Sequence, residues 1–352
     1  MIFRCDGGPT TGLGHVVGAI RLAERVGSDL GIAPRFLHRP DRGTASLIAD
    51  AGFSADVLAG GATPKEDVTR LIHAAQATPS NVAVVNFSAD HLQRCNNLFH
   101  LIPDSGTRLV FQDNPVAPGW RVGDVVINAL PHPAYGGYDP DTHPYCLDGL
   151  AYFLPDPRAE ALRAARPART FEEVQRVLVA MGGGASGAAT CAVLDGLTEA
   201  RYTGTVDVVM GRAASDVKAV QARLEASGLQ ASLTVGATDL AARMLAADLG
   251  FSALGLTTYE MAHAGLPTLL LTTSELNTCT AVNYCAEYGA AEHIGRLGQI
   301  APAAIGNSFR RLTEDSARRA SLSEHGVQSV GTHTRDVTLA IRTLVAPDGT
   351  HN

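Results

Sequence analysis

The chain has 352 residues, a formal net charge of −7 at pH 7, and 45% hydrophobic and 18% charged residues. At about 150 residues per domain this length suggests two domains, and the composition excludes a disordered, a collagen-like and a coiled-coil chain. The acidic balance gives no bulk attraction to nucleic acid or to an anionic membrane, so an anionic ligand has to be held by local backbone dipoles and a few cations.

No apolar run approaches the roughly 18 residues that mark a spanning helix. The opening Met1-Ile2-Phe3-Arg4-Cys5-Asp6 lacks the basic and apolar regions of a signal peptide. The cysteines Cys5, Cys95, Cys146, Cys191, Cys279 and Cys285 form no Cys-x-x-Cys pair, which points to free thiols in a reducing cytoplasm.

In chain order, Met1–Cys5 reads as a short strand, and Gly7-Gly8-Pro9-Thr10-Thr11-Gly12-Leu13-Gly14 as a loop. Val16, Ile20, Leu22, Ala23 and Val26 then recur at helical spacing. A strand follows at Arg35–His38, a helix at Ala45–Ala51, and strands at Val82–Asn86, Arg108–Phe111 and Val125–Asn128. Residues 156–170, rich in Pro, Ala and Arg, read as a linker with one helical stretch. A second alternation begins with a strand at Val177–Met181 and a helix at Ala188–Ala200. Strands at Val206–Met210, Ala231–Val235, Leu249–Phe251 and Pro267–Leu271 alternate with helices at Ala219–Ala226, Leu240–Ala247 and Thr257–Ala264. Residues 279–290 and 301–344 read as mostly helical. Strands and helices alternating in this way form right-handed βαβ units around a parallel sheet. The expected architecture is α/β: residues 1–155 and 171–352 as two Rossmann-like, doubly wound domains. A ligand belongs at the carboxyl ends of their strands.

Three strand–loop–helix junctions carry chemistry. In Asp6–His15 the loop aims backbone N–H groups at a polar or anionic ligand. His15 sits at the positive end of the helix dipole, which disfavours imidazolium. It reads equally as a neutral general base and as a histidine that satisfies loop carbonyls. The loop matches neither Gly-x-Gly-x-x-Gly nor Walker A. In Gly182–Gly187 consecutive glycines let a phosphate approach the backbone. In Phe251–Pro267 either Thr257 or Thr258 is expected to cap the helix and offer a hydroxyl. Glu260, in the first turn, is placed to accept the two hydroxyls of a ribose, or simply to balance the helix dipole. Asp139-Pro140-Asp141 reads as a solvated turn, His132 and His143 lack zinc-ligand spacing, and His263 reads as structural.

Thr257-x-x-Glu260, Gly265-Leu266-Pro267 and Glu275-Leu276-Asn277 resemble the donor-nucleotide site of the GT-B glycosyltransferase superfamily, in particular MurG-like enzymes. Arg4-Cys5-Asp6, Gly12-x-Gly14-His15-Val16, Phe111-Gln112-Asp113-Asn114, Gly149–Leu154 and Leu178–Gly184 narrow the likeness to the PseG/SpsG family, UDP-sugar hydrolases of pseudaminic acid biosynthesis. That resemblance implies catalysis by His15 with Asp6, His15 activating the attacking water. It also implies substrate contacts at Gly12, Gly14, Asp113, Gly183, Gly184, Gly211, Ser252, Leu256, Thr257, Thr258, Glu260 and Asn277. The N-terminal domain takes the water or acceptor and the sugar, the C-terminal domain the nucleotide. Backbone dipoles stabilise the leaving UDP, so no metal or cofactor is expected. Gly18, Asn86-Phe87-Ser88 and Ala185-Ser186 depart from the family pattern, and the nucleotide end is kept better than the sugar end. A glycosyltransferase with a small-molecule acceptor and a non-catalytic nucleotide-sugar binder are the alternatives.

Overall fold

The structure is a computed structural model describing residues 1–8, 12–112, 124–130, 146–164, 170–182, 186–212 and 214–345. It divides into two compact units, one from Met1 to Leu154 joined by the stretch from His333, the other from Pro155 to Thr332.

The first unit contains β1 (Ile2–Cys5), α1 (Gly14–Leu30), β2 (Arg35–His38), α2 (Arg42–Asp50), β3 (Ser54–Val57) and α3 (Pro64–Gln76). It continues with β4 (Val82–Asn86), α4 (Ala89–Cys95), α5 (Leu101–Asp104), β5 (Arg108–Gln112), β6 (Val125–Asn128) and β7 (Cys146–Asp148). The sheet is parallel, in the order β3-β2-β1-β4-β5-β6-β7. Every residue of β1 and β4 is buried, as a strand covered on both faces requires. Alternation sends Phe3, Cys5, Val82 and Val84 to a core with Val16, Ala19 and Ala23 of α1. It sends Ile2, Ala83 and Val85 to a second core with Val68 and Leu71 of α3. Elements beyond the sequence reading are β3, β7 and α3 to α5. The start of α3 is fixed by a capping box, in which Thr63 accepts from the Glu66 N–H and the Glu66 carboxylate accepts from the Thr63 N–H, with Pro64 in the first turn.

The second unit contains α6 (Pro157–Ala164), β8 (Arg176–Val179), α7 (Gly187–Glu199), β9 (Thr205–Met210), α8 (Val217–Ser227), β10 (Gln230–Val235) and α9 (Leu240–Ala246). It continues with β11 (Leu249–Ser252), α10 (Leu256–His263), β12 (Thr268–Thr272), α11 (Glu275–Tyr288), β13 (Glu292–Arg296), α12 (Pro302–Glu314) and α13 (Ser316–Ser329). Its parallel sheet runs β10-β9-β8-β11-β12-β13. Cores on its two faces centre on Val177, Phe251 and Leu269, and on Leu178, Met261 and Leu266.

The helical stretch expected within 156–170 is α6, where Ala159 is buried and Arg163 donates to the His263 carbonyl at 2.9 Å. One boundary differs from the sequence reading. The last helix, α14 (Thr334–Val345), belongs to the first unit rather than to a domain 171–352. Val337, Ala340 and Ile341 are buried in the core formed with Val16 and Ala19, and that burial overrides chain order. No helix among the described residues is long and apolar enough to cross a membrane.

Candidate functional site

In each unit the strand order reverses direction once, between β1 and β4 and between β8 and β11. The connections leaving two such strands turn to opposite faces, and the crevice this opens at their carboxyl ends is where doubly wound sheets bind ligands.

In the first unit, Cys5 and Asn86 are partners in register at the ends of β1 and β4. The loop after β1 is pinched by reciprocal backbone bonds between Gly8 and Gly12, at 3.1 and 2.8 Å. Gly12 has φ +70°, a conformation glycine adopts without strain. Helix α1 then starts at Gly14 with no side chain capping it, so its first N–H groups are presented to the crevice. His15, in that first turn, places Nδ1 2.7 Å from Asn86 Oδ1. Burial pushes its pKa below the ordinary value, and the hydrogen bond to Asn86 and the charge of Asp6 only partly oppose this. His15 is therefore neutral at physiological pH.

Asp6 lies in a cluster that sequence reasoning missed. Arg4, fully buried, reaches both oxygens of Asp67 at 2.7 Å and both oxygens of Asp6 at 2.7 Å. His91 packs between the same carboxylates, 3.3 Å from Asp6 and 3.2 Å from Asp67, with its ring stacked on Phe87. Arg39 donates its backbone N–H to Asp6 at 2.8 Å and points its guanidinium at Asp67, 3.3 Å away. Burial raises the carboxyl pKa of Asp6, but His91 and Arg4 outweigh it and hold the group at about 2. Burial lowers His91, and the two carboxylates more than reverse this, to about 10. Asp6 is thus a carboxylate kept ionised, and its charge acts on the neutral His15. The signal for the cluster was a charged residue, Arg4, inside an apolar opening strand, which demands a buried partner.

In the second unit, α7, α10 and α11 follow the adjacent strands β8, β11 and β12. Helix α10 begins at Leu256 after Gly255, with no side-chain cap. This corrects the expected threonine cap: Thr257 and Thr258 lie inside the helix, and Glu260, half-buried, falls in its second turn. The buried Thr258 hydroxyl donates to the Ala253 carbonyl at 2.8 Å and lies 3.2 Å from Ser252 Oγ. Ser252 Oγ sits 3.0 Å from the Ala180 carbonyl and 2.9 Å from that of Ala253. These two hydroxyls shape the loop from beneath, and Leu256 and Thr257 at the helix start are more open. Asn277 is in the first turn of α11, its N–H donated to Ser274 Oγ at 3.2 Å. Gly211 follows β9, half-buried. Helix α7 has an internal partner: the Gly187 N–H donates to Asp216 Oδ2 at 2.6 Å, an approach only glycine permits, since a Cβ would lie 2.2 Å from that oxygen. Asp113, Gly183, Gly184, Ala185, His132, His143 and Asp139–Asp141 lie outside the described residues. The Nδ1 of His263 contacts the Val330 carbonyl at 3.0 Å within the second unit.

Two doubly wound α/β units, each with helix N-termini at the turning point of its sheet, define a GT-B-like fold. The chain is similar to MurG of Acinetobacter baumannii, with TM-score 0.63, 16% identity, and 97% of this chain and 99% of that chain covered. It is similar to HepE of Anabaena in complex with UDP-glucose, with TM-score 0.58, 15% identity, and 97% of each chain covered. It is also similar to UDP-GlcNAc 2-epimerase of Neisseria meningitidis bound to UDP-GlcNAc, with TM-score 0.61, 10% identity, and 97% of this chain and 99% of that chain covered. No protein-family model matches the chain, and no curated protein matches it by sequence.

Proposed function

We propose that this protein is an enzyme acting on a nucleotide sugar, and specifically a UDP-sugar hydrolase of the PseG-like kind. The observation that carries this reading is His15: a neutral, half-buried imidazole at the turning point of the first sheet, held by Asn86 and within the field of the ionised Asp6. A neutral imidazole is the side chain suited to take a proton at physiological pH. Two of the similar structures hold UDP-glucose and UDP-GlcNAc, which supports a UDP-sugar as the ligand class.

In the proposed reaction His15 takes a proton from water as the water oxygen bonds to the anomeric carbon. The bond from that carbon to the diphosphate oxygen breaks, and its electron pair leaves with UDP. The fixed charge of Asp6 favours the cationic character that develops on the sugar and on His15. Glu260 accepts from the ribose hydroxyls. The uncapped start of α10, with Leu256 and Thr257, and Asn277 in the first turn of α11 contact the diphosphate. A cytoplasmic location fits the free cysteines.

Incubation with a panel of UDP-sugars, with chromatography for UDP and free sugar, tests the reading. UDP released into water from at least one sugar is the expected result. Release only when an acceptor is present would overturn hydrolysis in favour of a glycosyltransferase, the second reading, which the likeness to MurG supports. Binding with no release in any mixture would indicate a binder without turnover.

A further inference from the structure

We propose that Asn86 is a positioning residue that fixes the Nδ1–H tautomer of His15 and leaves the Nε2 lone pair to receive the proton. The inference rests on the reading of His15 as the base and deepens it.

An amide oxygen is an acceptor only, so the atom facing it carries hydrogen. With Asn86 Oδ1 2.7 Å from Nδ1, the proton of a neutral His15 resides there. Asn86 is buried at the last position of β4, paired in register with Cys5. Side chains on a strand alternate, and Asn86 shares its face with Val82 and Val84, whose core is the one α1 covers. The helix is held a second time one turn on, where Gln112 at the end of β5 donates Nε2–H to the Gly18 carbonyl at 2.9 Å. Two strand ends thus set the orientation of the first turns of α1, and Asn86 sets the ring within it.

An amide orients the imidazole as a carboxylate would, without adding charge. Imidazolium therefore gains no full ion pair from residue 86, and the base stays unprotonated below its ordinary pH range. The elements most extensively packed on α1 are β1, β4, α2 and α14, and β5 reaches it through the uncharged Gln112. Among the described residues the charge acting on His15 is Asp6, on the loop after β1, itself countered by Arg4, His91 and Arg39.

Nitrogen-15 spectra of the histidine rings in the ligand-free protein, with His15→Gln to assign the signal, test the tautomer directly. Wild type is expected to show hydrogen on Nδ1, Asn86→Leu to lose that preference, and Asn86→Asp to keep it with a raised His15 pKa. On a turned-over UDP-sugar, Asn86→Leu is expected to lower kcat at least tenfold with little change in KM. Asn86→Asp is expected to restore kcat with its acid limb at higher pH. Hydrogen on Nε2 in wild type, or an unshifted His15 pKa in Asn86→Asp, would overturn the assignment even if Asn86→Leu does not fold. A correct tautomer in a protein that releases no UDP from any sugar removes the hydrolase reading and leaves the role of Asn86 in setting the ring intact.

Discussion

Arg4 and Asp67 stand 63 residues apart in sequence and meet as a two-pronged pair, Nε to Oδ1 and Nη2 to Oδ2, both at 2.7 Å, with at most 1% of either side chain exposed. They join β1 to α3 at the edge of the candidate site. Removing one partner of such a pair strands the other as a buried charge. Asp67→Ala leaves Arg4 and His91 sharing Asp6 alone, and is expected to cost about 3–5 kcal/mol of stability. Urea unfolding measures this, and a loss under about 1 kcal/mol would show that the pair is not structural.

The same cluster sets a pH dependence. The His91 pKa is raised to about 10, above its ordinary 6.5, so its stabilisation is full below pH 6.5 and is lost as pH climbs toward 10. Asp6 is held at about 2, below its ordinary 3.8, so its contribution is present above pH 3.8 and fades as pH falls toward 2. His15 is also lowered, which adds to the loss on the acid side. The melting temperature is expected to decline from neutral pH toward 10 in wild type and to flatten over that range in His91→Gln. Equal alkaline slopes in the two proteins would remove His91 as the cause.

Asp216 caps α7 from a neighbouring loop. Asp216→Ala should cost about 1 kcal/mol, the usual value of a lost helix cap. It should also remove a negative charge from the glycine-rich junction and so strengthen UDP binding. Urea unfolding measures the first effect and calorimetric titration with UDP the second; weaker binding by the variant would mean the junction does not face the diphosphate.

Glu260→Ala is expected to weaken UDP binding by roughly ten- to a hundredfold, the size of a lost charged hydrogen bond of about 1.5–3 kcal/mol. Its effect on kcat should be small, because the ribose is remote from the bond that breaks. Unchanged UDP affinity would remove the ribose assignment.

His15→Ala is expected to reduce kcat by about a hundredfold or more, in line with the loss of a general base, while UDP affinity stays unaltered. Full turnover by this variant would require another base.

Much of the doubly wound pattern is legible in the chain, because the central strands are apolar runs such as Val82–Val85 and Leu269–Leu271. Edge strands are harder to see. Both β3, Ser54-Ala55-Asp56-Val57, and β13, Glu292-His293-Ile294-Gly295-Arg296, are exposed or half-buried and carry charge, so apolar periodicity does not mark them. Helix α3 was readable both from Thr63-Pro64-Lys65-Glu66, a capping box with proline, and from the apolar stripe Val68, Leu71, Ala74 and Ala75. At the site, His15 and Asp6 stand out by position in a strand–loop–helix junction. Their partners Asn86, Asp67 and His91 do not, because each arrives from a separate element and pairing over such distances leaves no local pattern.

The last helix has a consequence for how the molecule is made. The second unit is continuous from Pro155 to Thr332 and has all its strands before α14 is synthesised. The first unit, begun earlier, waits for Val337 and Ile341 to cover the α1 face of its sheet. At about 5–20 residues per second that wait lasts roughly 10–40 s. The half that is begun first is therefore the half that closes last.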